Sequence, residues 1–167
     1  MVVERPGLLT TVQDWPGRTG YWHVGVPPSG PMDDLSFRLG NRVLDNEEGA
    51  AGLECTMAGP ALRFAVPTWV CVTGAPVEVT VTGRRVPLWR PVLVPADGLL
   101  DIGMTQGPGM RCYVLVSGGV AVPEYLGSAA TFTLGGVRRR DRSRPRRRRY
   151  PAARPGRARS VGRGARR

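Results

Sequence analysis

The chain has 167 residues and a formal net charge of +11 at pH 7, a length that supports one domain with its own core and leaves little room for two. The charge is unevenly placed: residues 138–167 hold fifteen arginines and one acid, whereas residues 1–137 hold nine arginines and twelve acids, which argues against a basic nucleic-acid face on the globular part. No segment approaches membrane-spanning length, and MVVERPGLLTTVQD at the start lacks a basic region followed by a long apolar run, so a cytoplasmic protein with no membrane partner is expected.

In chain order, residues 8–12 read as a first strand, opened by Pro6-Gly7. Gln13, Asp14 and Arg18 then bracket a Trp-Pro-Gly turn, in which Pro16 presets φ and Gly17 accepts positive φ. An amide, a carboxylate and a guanidinium thus fall within a few residues of each other. Residues 21–24 read as a short strand carrying His23, the only histidine. The run Gly-Val-Pro-Pro-Ser-Gly-Pro must be a shaped loop, because three prolines remove donors and two glycines relax the chain. Beyond it Met32, Leu35, Leu39 and Val43 recur at helical spacing, with Asp33 and Asp34 in the first turn and Ser29 as a cap.

After a polar turn at residues 45–49, residues 50–57 read as a buried strand containing Glu54, a carboxylate for which structural pairing is the favoured reading. From residue 59 to 120 short strands follow one another: ALRFAV, WVCVTG, VEVTVTG, VPLWRPVLV, LLDIGM and RCYVLVSGG. Each ends in a turn residue, and several alternate apolar with polar, as a one-face-buried strand does. VEVTVTG and RRVPLW suggest a hairpin turning at Gly83. The class expected is mainly β, an antiparallel sandwich or barrel with one N-terminal helix. Nothing reads as βαβ, and no GxxxxGK[ST] loop is present. Cys55, Cys71 and Cys112 have neither metal-ligand nor disulfide-framework spacing, so they are expected to be buried thiols and no metal site is expected.

TTVQD, Arg18, GVPPSGPMD and the RLGN of residues 38–41, followed by LECTMAGPALRF, VTGAPVEVTVTGRRVPLWRP and YVLVSGGVAVPEYLGSAATFTL, resemble in order the biotin-dependent carboxyltransferase (AHS2, KipA-like) domain family over about residues 5–136. That family includes the C subunit of the bacterial ATP-dependent 5-oxoprolinase and the second carboxyltransferase half of urea carboxylase (allophanate hydrolase subunit 2-like). The resemblance implies a cyclophilin-like β-barrel, here incomplete at the C-terminus. It also implies one of two amide-centred activities: opening 5-oxoproline to glutamate with ATP hydrolysis, or carboxyl transfer between carboxybiotin and urea. A KipA-like regulator of a kinase inhibitor, without catalysis, is a third possibility. With no biotin-carrier Met-Lys pair in the sequence, the resemblance favours the oxoprolinase component, with subunits A and B (the KipI-like partner) as its company and a small amide or lactam as substrate. ATP would be held by the complex, and biotin would not be attached to this chain.

A planar amide or ureido group needs a donor to its oxygen and an acceptor for its N–H. Gln13 can offer both, and Arg18 offers a fork that matches a carboxylate, a phosphate or an oxyanion. Asp14 and Asp33 are candidates for proton transfer or for holding Arg18 in place, and His23 is eligible through its near-neutral pKa. Ser29 and Gly30 are candidates for substrate binding at a helix start. The same grouping also arises in connections whose polar residues only cap and solvate. One departure from the family pattern is Phe132, where an aspartate is expected.

After Val137 the pattern stops. Residues 138–167 carry almost no large apolar side chain and cannot bury enough surface to offset ordering entropy. The segment is expected to be disordered; arginine without any lysine is what a GC-rich coding sequence gives, and a reading-frame shift that replaced the C-terminal half with out-of-frame Arg, Pro, Ala and Gly codons is the favoured expectation. The alternative is a genuine arm that binds nucleic acid through counterion release.

Overall fold

Side-chain alternation in the strands builds two facing sheets, and the computed structural model describes them over residues 1–133. The elements are β1 (Val2–Arg5), β2 (Leu9–Gln13), α1 (Asp34–Val43), β3 (Gly52–Thr56), β4 (Ala61–Arg63), β5 (Thr68–Gly74), β6 (Val77–Val81), β7 (Arg84–Arg85), β8 (Val92–Val94), β9 (Leu99–Thr105) and β10 (Arg111–Val116). One sheet has the order β1-β4-β9-β6-β7 and the other β2-β3-β10-β5-β8. Every pairing is antiparallel. The expectation of a mainly β protein with one helix therefore holds.

Period-two alternation decides which side chains meet. Val77, Val79 and Val81 of β6 and Leu100 and Ile102 of β9 point inward from the first sheet. They pack on Leu53, Cys55, Val70, Val72, Cys112, Val114 and Val116 of the second. The intervening residues of β5 and β10, Cys71, Tyr113 and Leu115, face the other way and form a second core with Phe37 and Leu44 beneath α1. The order of layers is sheet, sheet, helix. Among the described residues no helix is long and apolar enough to cross a membrane.

Four local expectations are corrected. Residues 22–24 form a 3-10 turn, bracketed by Gly20 and Gly25 at φ 91° and 80°, rather than a strand. The positive φ values bend the chain away from any ladder, and the turn is exposed. The stripe Leu35, Leu39 and Val43 of α1, with Met32 just ahead of it, faces outward, Met32 at 73% exposure and Leu35 at 61%. The buried face is Ser36, Phe37, Gly40 and Asn41. Small and polar groups win that side because the helix lies close to β5 and β10: a Cβ on Gly40 would stand 2.7 Å from Leu115 Cδ2 and 2.9 Å from Thr73 Cγ2. The Thr73 hydroxyl donates to the Ser36 carbonyl at 2.8 Å. Asp33, not Ser29, caps the helix, accepting from the Ser36 N–H at 3.0 Å. The stretch 86–94 yields only β8, since Pro87 and Pro91 interrupt the ladder. β1 is an addition; its four residues carry no turn signal ahead of them. The hairpin β6–β7 does turn at Thr82-Gly83, both at positive φ. The tail assigned to residues 138–167 lies outside the described residues.

Candidate functional site

β2 delivers Gln13 to the end of its sheet, and the Trp-Pro-Gly turn reverses the chain there. Gly17, at φ 83°, is needed for close approach as well: a Cβ on it would lie 2.6 Å from the Pro28 carbonyl oxygen. The Arg18 N–H donates to that same oxygen at 2.6 Å, so the loop 26–31 lies back over the turn. Gln13 fastens it further, with Oε1 accepting from the Gly30 N–H at 3.1 Å and Nε2 donating to Thr11 Oγ1 at 3.0 Å. Ser29 and Gly30, at φ 59° and 89°, form the bend of this loop.

Asp14 and Arg18 reach a segment more than a hundred residues away. Asp14 Oδ1 accepts from the Ser128 hydroxyl at 2.7 Å, and Oδ2 accepts from the Ala129 N–H at 2.6 Å. Arg18 Nε donates to the Tyr125 carbonyl at 3.0 Å and Nη2 to the Ala130 carbonyl at 2.7 Å. The Tyr125 ring lies 5.8 Å from the guanidinium carbon. Thr131 N–H completes the seam on the Val12 carbonyl at 2.9 Å. Arg18 is only 1% exposed, and its Nη1 is buried with no hydrogen-bond partner among the described residues. No ion pair among the described residues joins Arg18 to Asp14 or Asp33.

The structure thus brings Gln13, Asp14, Arg18, Ser29 and Gly30 together, and leaves His23 and Asp33 apart from these contacts. His23 is exposed on the 3-10 turn. Asp33 is engaged at the start of α1, where both Ser36 donors meet its carboxylate and its N–H donates to the Tyr113 hydroxyl at 2.8 Å. Tyr113 in turn donates to Glu54 Oε2 at 3.2 Å, and that oxygen also accepts from the Met32 N–H at 2.7 Å. Burial pushes the Tyr113 phenol well above its usual range, which keeps it a donor. Glu54 is paired as expected, 3.5 Å from Arg111 Nε.

Sequence reasoning missed the segment 125–131 as partner of the first turn, and Tyr113 and Arg111 as partners of Glu54. The only sequence signal for the first was the Gly-Ser-Ala-Ala run, whose small side chains let backbone approach a buried guanidinium.

Chemically, the described residues here form a hydrogen-bonded frame. Gln13 spends both ends of its amide internally, and Asp14 both carboxylate oxygens. Both side chains are therefore engaged within the protein. A cleft of about 220 Å³ lies elsewhere, lined by Arg5, Glu78, Thr80, Asp101, Met104 and Gln106 among others, and none of the candidate residues borders it. Among the described residues no group of histidine, cysteine and acidic side chains could hold a metal ion.

The chain is similar to known proteins. The urea amidolyase of Saccharomyces cerevisiae is 46% identical over 135 residues, covering 81% of this chain and 7% of that protein. The C subunit of the Escherichia coli 5-oxoprolinase is 33% identical over 141 residues, covering 81% of this chain and 43% of that protein. The crystal structure of the Kluyveromyces lactis urea carboxylase superposes with a TM-score of 0.76 at 46% identity, over 78% of this chain and 11% of the other. This chain therefore spans less than half the length of each of these relatives. Residues 24–144 match the carboxyltransferase domain, subdomains A and B, and the chain belongs to that family.

Proposed function

We propose that this chain forms part of a carboxyltransferase unit that handles a planar urea-type amide, the reaction of a urea carboxylase. The observation that carries the reading is the 46% identity to urea amidolyase over 81% of the chain, against 33% for the 5-oxoprolinase C subunit over the same share. In this reading Gln13, Asp14 and Arg18 are positioning residues: they lock the loop 26–31 and the segment 125–131 to the end of β2. The groups assigned to meet substrate are Ser29 and Gly30 on that loop and the exposed His23 imidazole before it. Asp33 sets where α1 begins. ATP and biotin are held outside this chain, by the complex it joins.

A second reading, the C subunit of a 5-oxoprolinase working with partner subunits on a lactam, is supported by the 43% share of the E. coli protein that the chain covers. Chimeras separate the two. Residues 5–133 of this chain would replace the matching segment of the yeast urea amidolyase and, separately, of the E. coli oxoprolinase component. Urea consumption retained in the first chimera, with 5-oxoproline turnover lost in the second, is the expected pattern. The reverse pattern would transfer the assignment to the oxoprolinase.

A further inference from the structure

Cys55 and Cys112 are paired residues on adjacent antiparallel strands, β3 and β10, in the interior of their sheet. Both are free, both are fully buried, and both belong to the core between the sheets. Directly opposed residues in an antiparallel ladder have Cα atoms about 4.5–5.5 Å apart, inside the range of roughly 4.4–6.8 Å that a disulfide spans. The third cysteine, Cys71, points to the opposite face of the same sheet, under α1. Two thiols are therefore held face to face and the third is kept away from them. We propose that Cys55 and Cys112 are a thiol pair that closes reversibly into a cross-strand disulfide when the protein meets a peroxide.

The two sulfurs are not equivalent. The neighbouring Cys55 thiol holds the Cys112 thiol below its usual range against the opposing effect of burial, while the same contact together with burial raises that of Cys55. Cys112 thus attacks first. Its thiolate forms an S–O bond as the peroxide O–O bond breaks, and the leaving hydroxide takes up a proton to become water. Cys55 sulfur then attacks the sulfenic sulfur of Cys112; the S–S bond forms, the S–O bond breaks and a second water leaves. Two thiols have lost two electrons and two protons, and one peroxide has become two waters. Both sulfurs are closed off in the folded state, so peroxide reaches them only in a local opening that leaves the two strands paired, and the reaction runs more slowly than at an exposed thiol.

The test uses the full chain, treated with hydrogen peroxide under native conditions, then alkylated and mapped by peptide mass spectrometry. The expected result is a mass loss of about 2 Da, one cross-linked peptide pair joining Cys55 to Cys112, and Cys71 still alkylated. Dithiothreitol restores both thiols, and the oxidised form melts higher by roughly 5 °C or more. Cys55→Ser, where it folds, leaves Cys112 as a sulfenic acid that a dione reagent traps; the wild-type map decides the matter without that variant. Linkage through Cys71, a mixture of all three pairings, dimers between chains, or oxygen added with no disulfide would each overturn the proposal.

Discussion

A guanidinium that is 1% exposed and bonded only to neutral carbonyls is costly to bury, so Arg18 has to recover its desolvation through the Tyr125 and Ala130 carbonyls. Replacing it with methionine keeps the apolar stem and strands both carbonyls. Arg18→Met is expected to cost about 3 kcal/mol in urea unfolding, and a loss under about 1 kcal/mol would mean that the segment 125–131 is held by other contacts. Glu48 presents the opposite case on the surface. Its hydrogen bond from Arg38, whose guanidinium also stacks 4.2 Å over the Trp15 ring, holds its carboxyl below the usual value of 4.5, with Arg42 adding to the effect. A depressed carboxylate contributes stability that is fully present above its unfolded value and disappears as pH falls through the folded one. The stability difference between wild type and Glu48→Gln should therefore be flat above about pH 5 and shrink below 4.5; a difference that grows on acidification would reverse the sign.

For the elements, α1 decides between competing effects. Gly40→Ala gains about 1 kcal/mol of helix propensity, yet the new methyl meets Leu115 and Thr73 inside 3 Å, and both of these are fully buried. Overpacking of about 1–3 kcal/mol wins, so a lower thermal midpoint is expected; a rise would mean that Leu115 has room to move. On the other side, Leu35→Gln with Leu39→Gln should leave the midpoint within the change expected of surface sites, about 0.5 kcal/mol each, whereas Phe37→Ala should cost about 3–5 kcal/mol. Helical spacing disclosed where α1 lies but could not say which of its faces the sheet covers, because both carry apolar side chains and the choice rests on Gly40 and Gly52 leaving a notch for Leu115. Strands were legible wherever one face was buried, as in β6, since alternation records burial. The 3-10 turn at Trp22–Val24 was not, because its aromatic and β-branched residues look like a strand and two positive-φ glycines override them.

Across the whole molecule, the candidate site was legible only in its near half. Gln13, Asp14, Arg18, Ser29 and Gly30 stand together in sequence, but Asp14 and Arg18 find their partners at 125–131 through contacts with separations of 107 to 115 residues, and no periodicity encodes such a pairing. Charge is the property that sequence does locate at this scale. The net +11 arises from residues 138–167, which carry +14, while residues 1–137 carry −3. Exposed charges act at the range of a Debye length, about 10 Å at 0.1 M salt, so retention on a polyanionic surface follows the local density of arginine rather than the chain average. At pH 7 the full chain should bind a sulfonate cation exchanger and elute only at high salt, while a chain ending at residue 137 should flow through. Equal retention of both would show that the basic surface lies among the sheets, and the nucleic-acid reading would then attach to the domain itself.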